Sequence, residues 1–235
     1  TSTMTPTSLI EQFGPRETMD YDVVVVGGGP GGLAAAIHIK QLAAAQSKEV
    51  SVVVLEKGSE PGAHILSGAV MDPQAMNELF PDWKEMGAPL NQSVSADELW
   101  VLSEKGHTLT PAWLMPRNFH NDGCYVVSLS NVVKWMAQQA EHLGVEIFPG
   151  FAAAEVLYNQ AGAVTGVATG HVGLGKDGLP TDNFQLGMEL KAKYTLFAEG
   201  ARGHLGKQLI QNFGLNKGKD TQTFAIGIKE SWEVD

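Results

Sequence analysis

At 235 residues and 43% hydrophobic content, the chain has enough apolar material for one large or two small packed domains. Its formal charge of -10, with 16 Lys and Arg that form no long basic block, opposes nucleic-acid binding, because neutralising phosphates needs clustered cations. No run approaches the roughly 18 consecutive apolar residues of a membrane-spanning helix, and one cysteine, Cys124, excludes an internal disulfide or a cluster held by four thiolates of this chain alone.

Residues 1–19 are rich in Thr, Ser and Pro and are expected to form a flexible lead-in; they lack the basic start and apolar core of a signal peptide, so export by such a signal is not expected. Val23 to Val26 follows as a β-branched run of the kind a doubly covered parallel strand requires. It runs into Gly27-Gly-Gly-Pro-Gly-Gly32, in which Gly27, Gly29 and Gly32 fit G-x-G-x-x-G. The first glycine permits a tight turn, the second lets a pyrophosphate reach the backbone, and the third lets helix and strand pack closely. Leu33 to Ala45 is an alanine-rich helix whose free amides would face the phosphates. Val50 to Leu55 supplies a second strand, and Glu56, 24 residues after Gly32, stands near the spacing at which an acid accepts hydrogen bonds from a ribose diol. The competing reading of the motif is a βαβ unit without ligand. Strand, turn, helix and acid all agree on a dinucleotide site.

Lys57 to Tyr125 is broken by Pro61, Pro73, Pro81, Pro89, Pro111 and Pro116 and is expected to be largely irregular, with a short helix over 72–79 and a short strand over 98–102. Val132, Val133, Met136, Ala140 and Leu143 recur at helical spacing within 130–143, closed by Gly144. Strands are expected over 145–148, 153–158 and 164–169, a hairpin tip over 176–182, and a strand pair or one long strand over 186–198. Glu199-Gly-Ala-Arg-Gly203 ends that last strand, and a helix over 204–213 is stopped by Gly214. Cys124 reads as a small polarizable core residue. The seven histidines show no metal-ligand spacing, no Ser-His-Asp or Cys-His set stands out, and His107, His120 and His171 read as loop residues, so no catalytic side chain and no metal site is assigned.

An acid at the end of a second buried strand, Glu199, points to the crevice where ligands of open α/β sheets gather. This order of motifs resembles the flavoprotein superfamily of glutathione reductase and the aromatic hydroxylases, which favours FAD over NAD. Longer blocks narrow the resemblance: 62–73 (GAHILSGAVMDP), 78–90 (ELFPDWKEMGAPL), 144–156 (GVEIFPGFAAAEV) and 197–200 (FAEG) resemble the electron-transfer flavoprotein:ubiquinone oxidoreductase family, over its N-terminal part only. The fold class implied is α/β, an FAD-binding Rossmann-like fold with a β-rich inserted quinone-binding domain. The corresponding division is a flexible lead-in (1–19), an FAD-binding βαβ unit with flavin loop (20–100), an irregular membrane-facing segment (101–127), the remainder of the FAD domain (128–214) and the truncated start of the quinone-side domain (215–235).

Carried over position by position, the resemblance implies that Gly27, Gly29, Pro30, Gly31 and Gly32 hold the FAD pyrophosphate, Glu56 the adenosine ribose and Lys57 its border. Ala63, His64, Ser67, Gly68 and Ala69 would line the flavin, with the amides near Ser67 to Ala69 supporting negative charge on the reduced ring. Ala153 would face adenine, and Glu199 with Gly200 the ribityl-pyrophosphate end. Ser128 stands where many relatives carry an arginine. On the quinone side, Phe224-Ala225 stands where relatives often have Tyr-Gly, so a phenol hydrogen bond is lost and backbone contacts near Gly227 would matter more. Trp113, Leu114, Met115 and Phe119 would meet the headgroup boundary of a membrane, or else tuck onto the core.

The activity so implied is passage of electrons from reduced electron-transfer flavoprotein to ubiquinone in the respiratory chain, by a peripheral enzyme on the cytoplasmic face of a bacterial inner membrane or the matrix face of the mitochondrial one. The family's 4Fe-4S cluster would not be held by this chain. Two other readings stand beside it: an incomplete, non-catalytic FAD-domain fragment, and a geranylgeranyl-reductase-like or hydroxylase-like flavoenzyme using NAD(P)H.

Overall fold

The computed structural model describes residues 6–66 and 68–223. In chain order the elements are α1 (Pro6–Phe13), β1 (Thr18–Val26), α2 (Pro30–Ala45), β2 (Val52–Glu56), β3 (Ala69–Met71), α3 (Gln74–Leu79), β4 (Gln92–Ser93), β5 (Trp100–Ser103), β6 (Gly106–Leu109) and β7 (Tyr125–Val127). They continue with α4 (Leu129–His142), β8 (Glu146–Pro149), β9 (Ala153–Tyr158), β10 (Val164–Thr169), β11 (Val172–Leu174), β12 (Pro180–Gln185), β13 (Glu189–Phe197) and α5 (His204–Phe213). Two compact units result: one joins residues up to His64 with those from Met136 onward, and the other is Ile65–Trp135.

The first unit is built on a six-stranded sheet in the order β8-β2-β1-β13-β10-β9. The pairs β8·β2, β2·β1 and β1·β13 are parallel, while β13·β10 and β10·β9 are antiparallel. The valine run explains the centre: Val24 and Val25 of β1 and Val53 and Val54 of β2 are fully buried, as strands covered on both faces must be. In register, Val24 lies between Val53 and Thr195, and Val26 between Leu55 and Phe197. From β1 the chain passes to β2 on one side, while β13 joins on the other. The crevice beyond the carboxyl ends of β1 and β13 is therefore the switch point at which such sheets place ligands.

Val24, Val26, Val53, Leu55, Val167, Leu190 and Leu205 form one core cluster, which ties α5 and the antiparallel strands to the parallel ones. Polar ties finish the unit. Buried Arg16 donates twice to Glu155, at 2.8 and 2.9 Å, and the bond holds the Glu155 carboxyl below its usual range. The Tyr21 hydroxyl donates to Glu146 at 2.7 Å. Asp22 accepts from Lys193 Nζ at 2.6 Å and from the Ser51 amide at 2.8 Å, which together lower its carboxyl to about 2.

The second unit holds a three-stranded antiparallel sheet, β3-β7-β4, and a core of Met76, Phe80, Trp83, Leu90 and Val127. The Trp83 indole donates to Asn77 Oδ1 at 2.7 Å, and its ring meets Tyr125 edge-on at 5.5 Å. Asp97 accepts from both the amide and the side chain of Asn121, which lowers its carboxyl. Beyond the sheet, β5 and β6 pair as a separate hairpin.

Several expectations change here. The lead-in holds a helix, α1, and β1 begins at Thr18 rather than at Val23. The physical reason is tertiary: Leu9 is buried and the Phe13 ring lies 4.9 Å from Phe184 of β12, a contact that local propensity does not report. The stretch expected to be irregular over 101–127 carries most of the β5–β6 hairpin, two short 3-10 turns and β7, and its prolines fall between these pieces. The compact units divide at 64/65 and 135/136.

Candidate cofactor site

The carboxyl end of β1 turns sharply at Gly27, whose φ is +111 and whose amide donates to the Leu55 carbonyl at 2.8 Å. A Cβ at Gly27 would lie 2.4 Å from the Ala198 carbonyl oxygen, and one at Gly32 would lie 2.0 Å from the Gly27 carbonyl oxygen. These two glycines therefore let β1, β13 and α2 close on one another. Gly29 and Gly31 differ: among the described residues, a Cβ at either meets nothing within 4 Å. The fingerprint thus divides into two glycines packed into the fold and two that border open space.

That open space faces a helix start. Gly29 caps α2 with no side chain of its own, Pro30 opens the helix, and the first turn contains no acidic residue. A proline at the first position lacks an N–H, so the amides of Gly31 and Gly32 are the ones presented ahead of Leu33, which donates to the Gly29 carbonyl at 3.0 Å. The positive end of a 16-residue helix is left for an anion.

Glu56 ends β2 beside this turn. Its Oε2 accepts from the Gly28 amide at 3.0 Å and its Oε1 from the Gly58 amide at 2.6 Å, which fixes the carboxylate against the glycine loop. Each oxygen retains acceptor capacity for a diol. The Phe151 amide donates to the Glu56 carbonyl at 3.1 Å and Gly150 to the Gly58 carbonyl at 2.7 Å, so the loop leading to Ala153 is tied to the same place. Lys57, Ala63 and His64 are exposed nearby in sequence. Gly27 to Gly32, Glu56 and the approach to Ala153 are brought together. Gly27 also meets the end of β13, where Glu199 and Gly200 follow, through the Ala198 amide that donates to the Val26 carbonyl at 2.8 Å.

In the second unit, Ala69 pairs with Val127 across β3 and β7, which sets it beside Ser128. Ser128 immediately precedes α4 and its carbonyl accepts from the Val132 amide at 3.1 Å. Gly68, with φ +101, leads into β3. Ser67, Phe224, Ala225 and Gly227 lie outside the described residues.

Two features escape sequence reasoning. Gly58 holds the far oxygen of Glu56, and only its position two residues after the acid hints at it. The amides of Leu205 and Gly206 take the Glu199 carboxylate at 3.1 and 2.7 Å, so that acid is engaged with the start of α5. The usable signal is Gly203, whose Cβ would lie 2.7 Å from both the Cβ and Oε2 of Glu199.

These residues suit the phosphate-and-ribose portion of FAD: open space at Gly29 and Gly31, the amides of a helix start behind it, and a carboxylate immobilised against the glycine loop at the end of the next strand. A family model for an NAD(P)-binding Rossmann-like domain matches residues 25–82. A solved structure of PqsL from Pseudomonas aeruginosa, described as a probable FAD-dependent monooxygenase, superposes with a TM-score of 0.52 at 14% identity, covering 82% of this chain and 46% of that one, and shares the fold. An Acinetobacter baylyi protein named probable electron transfer flavoprotein-ubiquinone oxidoreductase is 60% identical over 222 residues, 94% of this chain and 39% of that one. The Dictyostelium discoideum protein named electron transfer flavoprotein-ubiquinone oxidoreductase, mitochondrial, is 53% identical over 224 residues, 95% of this chain and 36% of that one. The chain spans about two fifths of the length of these curated relatives. Over nearly all of its own length it is therefore similar to the N-terminal part of the electron transfer flavoprotein-ubiquinone oxidoreductases, the family that its sequence blocks resemble.

Proposed function

We propose that this chain is the FAD-binding portion of an oxidoreductase that passes electrons from reduced electron-transfer flavoprotein to ubiquinone. The observation that carries the reading is the conjunction of the glycine cradle with 60% identity to a relative of that name. FAD, when bound, supplies reversible acceptance and release of electrons. The chain's own residues do the holding. Gly29 and Gly31 leave room for the pyrophosphate, the amides of Gly31 and Gly32 donate to it, and Glu56, locked by Gly28 and Gly58, accepts from the adenosine ribose. Lys57 borders that ribose and Ala153 faces adenine. The family resemblance assigns Ala63, His64, Ser67, Gly68, Ala69 and Ser128 to the flavin end, and Gly200 to the ribityl-pyrophosphate end. No side-chain nucleophile is needed for electron transfer, so the protein's contribution is distance, orientation and exclusion of water.

The remaining parts follow from the family. The 4Fe-4S cluster needs four thiolates, and one cysteine in 235 residues cannot supply them, so the cluster belongs to the part of the longer relatives that this chain does not span. The family resemblance assigns Phe224, Ala225 and Gly227 to the quinone side. Membrane contact is peripheral in this reading: among the described residues no helix is long and apolar enough to cross a membrane. Trp113 is 83% exposed, and Leu114 and Phe119 are also exposed, which suits a headgroup boundary on a bacterial inner membrane or its mitochondrial counterpart. Met115, assigned to the same boundary from sequence, is buried at 8% exposure and packs inward instead.

The test is anaerobic mixing of the FAD-loaded chain with NADH and with NADPH, beside the same experiment on a full-length protein containing it with reduced electron-transfer flavoprotein. The reading expects no rapid flavin reduction by either nicotinamide and rapid reduction of the longer protein by its flavoprotein donor. Fast reduction by NAD(P)H would instead place the chain among nicotinamide-dependent flavoenzymes.

A further inference from the structure

Two helices begin at the carboxyl edge of the parallel strands, and their first turns are treated differently. The first turn of α2 holds no acid, and its N-cap, Gly29, offers no side chain to cap it. The start of α5 is filled: Glu199 Oε1 accepts from the Leu205 amide at 3.1 Å and Oε2 from the Gly206 amide at 2.7 Å. The surrounding residues are cut to fit this carboxylate. Gly203, at the cap position, has no side chain to do the capping, and a Cβ there would overlap Glu199, while a Cβ at Gly206 would lie 3.4 Å from Oε2. Gly200, with φ +80, turns the chain back so that residue 199 can reach residues 205 and 206. Phe197, Glu199, Gly200, Ala201, Gly203 and Gly206 border a shallow cavity of about 210 Å³.

We infer that Glu199 is a positioning residue: its carboxylate caps α5 and thereby fixes the 200–203 turn at the rim of the crevice, without itself binding the cofactor. A negative charge set against the positive end of α5 takes up the anion-binding capacity of that helix. A ligand phosphate is thus directed to α2 rather than to α5, and the second acid of the fold, which the motif order assigns to the ribityl-pyrophosphate end, acts on the cofactor through α5. The consequence for the cofactor rests on the FAD reading above, whereas the cap itself does not.

The experiment is amide hydrogen exchange on the cofactor-free chain combined with FAD titration, on the unmodified protein, Glu199→Ala, Glu199→Gln, and the pair Glu199→Gly with Gly203→Ser. The pair moves the cap to Ser at the usual position, where removal of the Glu199 Cβ gives it room. Glu199→Ala is expected to speed exchange at Leu205 and Gly206 by about 3- to 30-fold, the range set by loss of an N-cap, with Gly31 and Gly32 unchanged. FAD is expected to bind more weakly in that variant, and the pair is expected to restore both protection and affinity. Glu199→Gln keeps one acceptor oxygen, is expected to fall between, and serves if Glu199→Ala does not fold. Unchanged exchange at Leu205 and Gly206 in the single variants would overturn the cap. Restored exchange with FAD affinity still at the single-variant level would show direct cofactor binding by Glu199 and overturn the positioning role. Failure of the unmodified chain to bind FAD would instead strike the functional reading and, with it, the cofactor consequence, while the exchange data would still decide the cap.

Discussion

Alanine substitutions at Gly31 and Gly32 should separate cofactor binding from stability, although the two residues are neighbours in the same helical turn. At Gly32 the new Cβ would stand 2.0 Å from the Gly27 carbonyl oxygen and 3.2 Å from the Ala198 Cβ. The oxygen belongs to backbone held by the Gly27 amide bond to Leu55 and by the Ala198 bond to Val26, so it has little freedom to retreat. Overpacking of this kind costs about 1–3 kcal/mol, against which the helix-propensity gain of Ala over Gly returns at most about 1 kcal/mol. The net loss should lower Tm by several degrees, since about 1 kcal/mol moves Tm by about 2–4 °C in a chain of this size. Among the described residues, the Gly31→Ala methyl meets nothing within 4 Å, so the same propensity gain should leave the cofactor-free chain as stable or up to about 1 kcal/mol more stable. Its methyl group would occupy the cradle, and FAD affinity should fall at least tenfold. Thermal melts without cofactor and fluorescence titration with FAD measure both quantities. An unchanged Tm for Gly32→Ala, or full FAD affinity for Gly31→Ala, would refute the division of the fingerprint into packed and open glycines.

Three further outcomes are expected. Glu155→Gln, which leaves the buried Arg16 with a weaker partner, should destabilise by roughly 1–2 kcal/mol in denaturant titration, less than a fully buried pair would lose because the Glu155 side chain is 39% exposed. Burial, reinforced by the positive charge of Arg16, depresses His171, whose Nδ1 accepts from the Gly187 amide. The unfolded chain then binds the proton more readily, so stability should be flat above about pH 6.5 and decline as pH falls from there toward the lowered folded value, a slope that His171→Gln should remove from urea midpoints measured across pH. Replacing Trp113 and Leu114 together by Ser should leave Tm within about 1 °C, since both are exposed, while sedimentation with phospholipid vesicles drops several-fold. Equal vesicle binding by that double variant would remove the membrane assignment from this segment.

The parallel half of the sheet was legible because its strands are buried on both faces and therefore consist of continuous β-branched runs, as in Val23 to Val26 and Val52 to Val54. The glycine turn was legible because close packing of backbone leaves only one residue type at Gly27 and Gly32. What depended on distant partners was not. The helix α1 is short and owes its place to Phe184, and β7 is a three-residue strand that exists because β3 and β4 flank it. The hairpin β5–β6 is exposed along both strands, so it lacks the alternation of a half-buried strand, and only part of its first strand could be read. At the site, the types and positions of Glu56 and Glu199 were visible as acids closing strands. Their partners were not, because Gly58, Leu205 and Gly206 contribute amides, and a backbone N–H leaves no mark on residue identity.

The proposed function rests on the assignment of the Gly27 to Gly32 turn and Glu56 to the adenosine diphosphate half of FAD. Its most direct test is calorimetric titration of the purified, cofactor-stripped chain with FAD, ADP and FMN in parallel, with Glu56→Ala as control. FAD binding at one per chain, ADP competing with it, FMN binding far more weakly, and a marked loss of FAD and ADP affinity in Glu56→Ala would all follow from this geometry. A folded chain that takes up no FAD, or one that binds FMN as tightly as FAD, would contradict it.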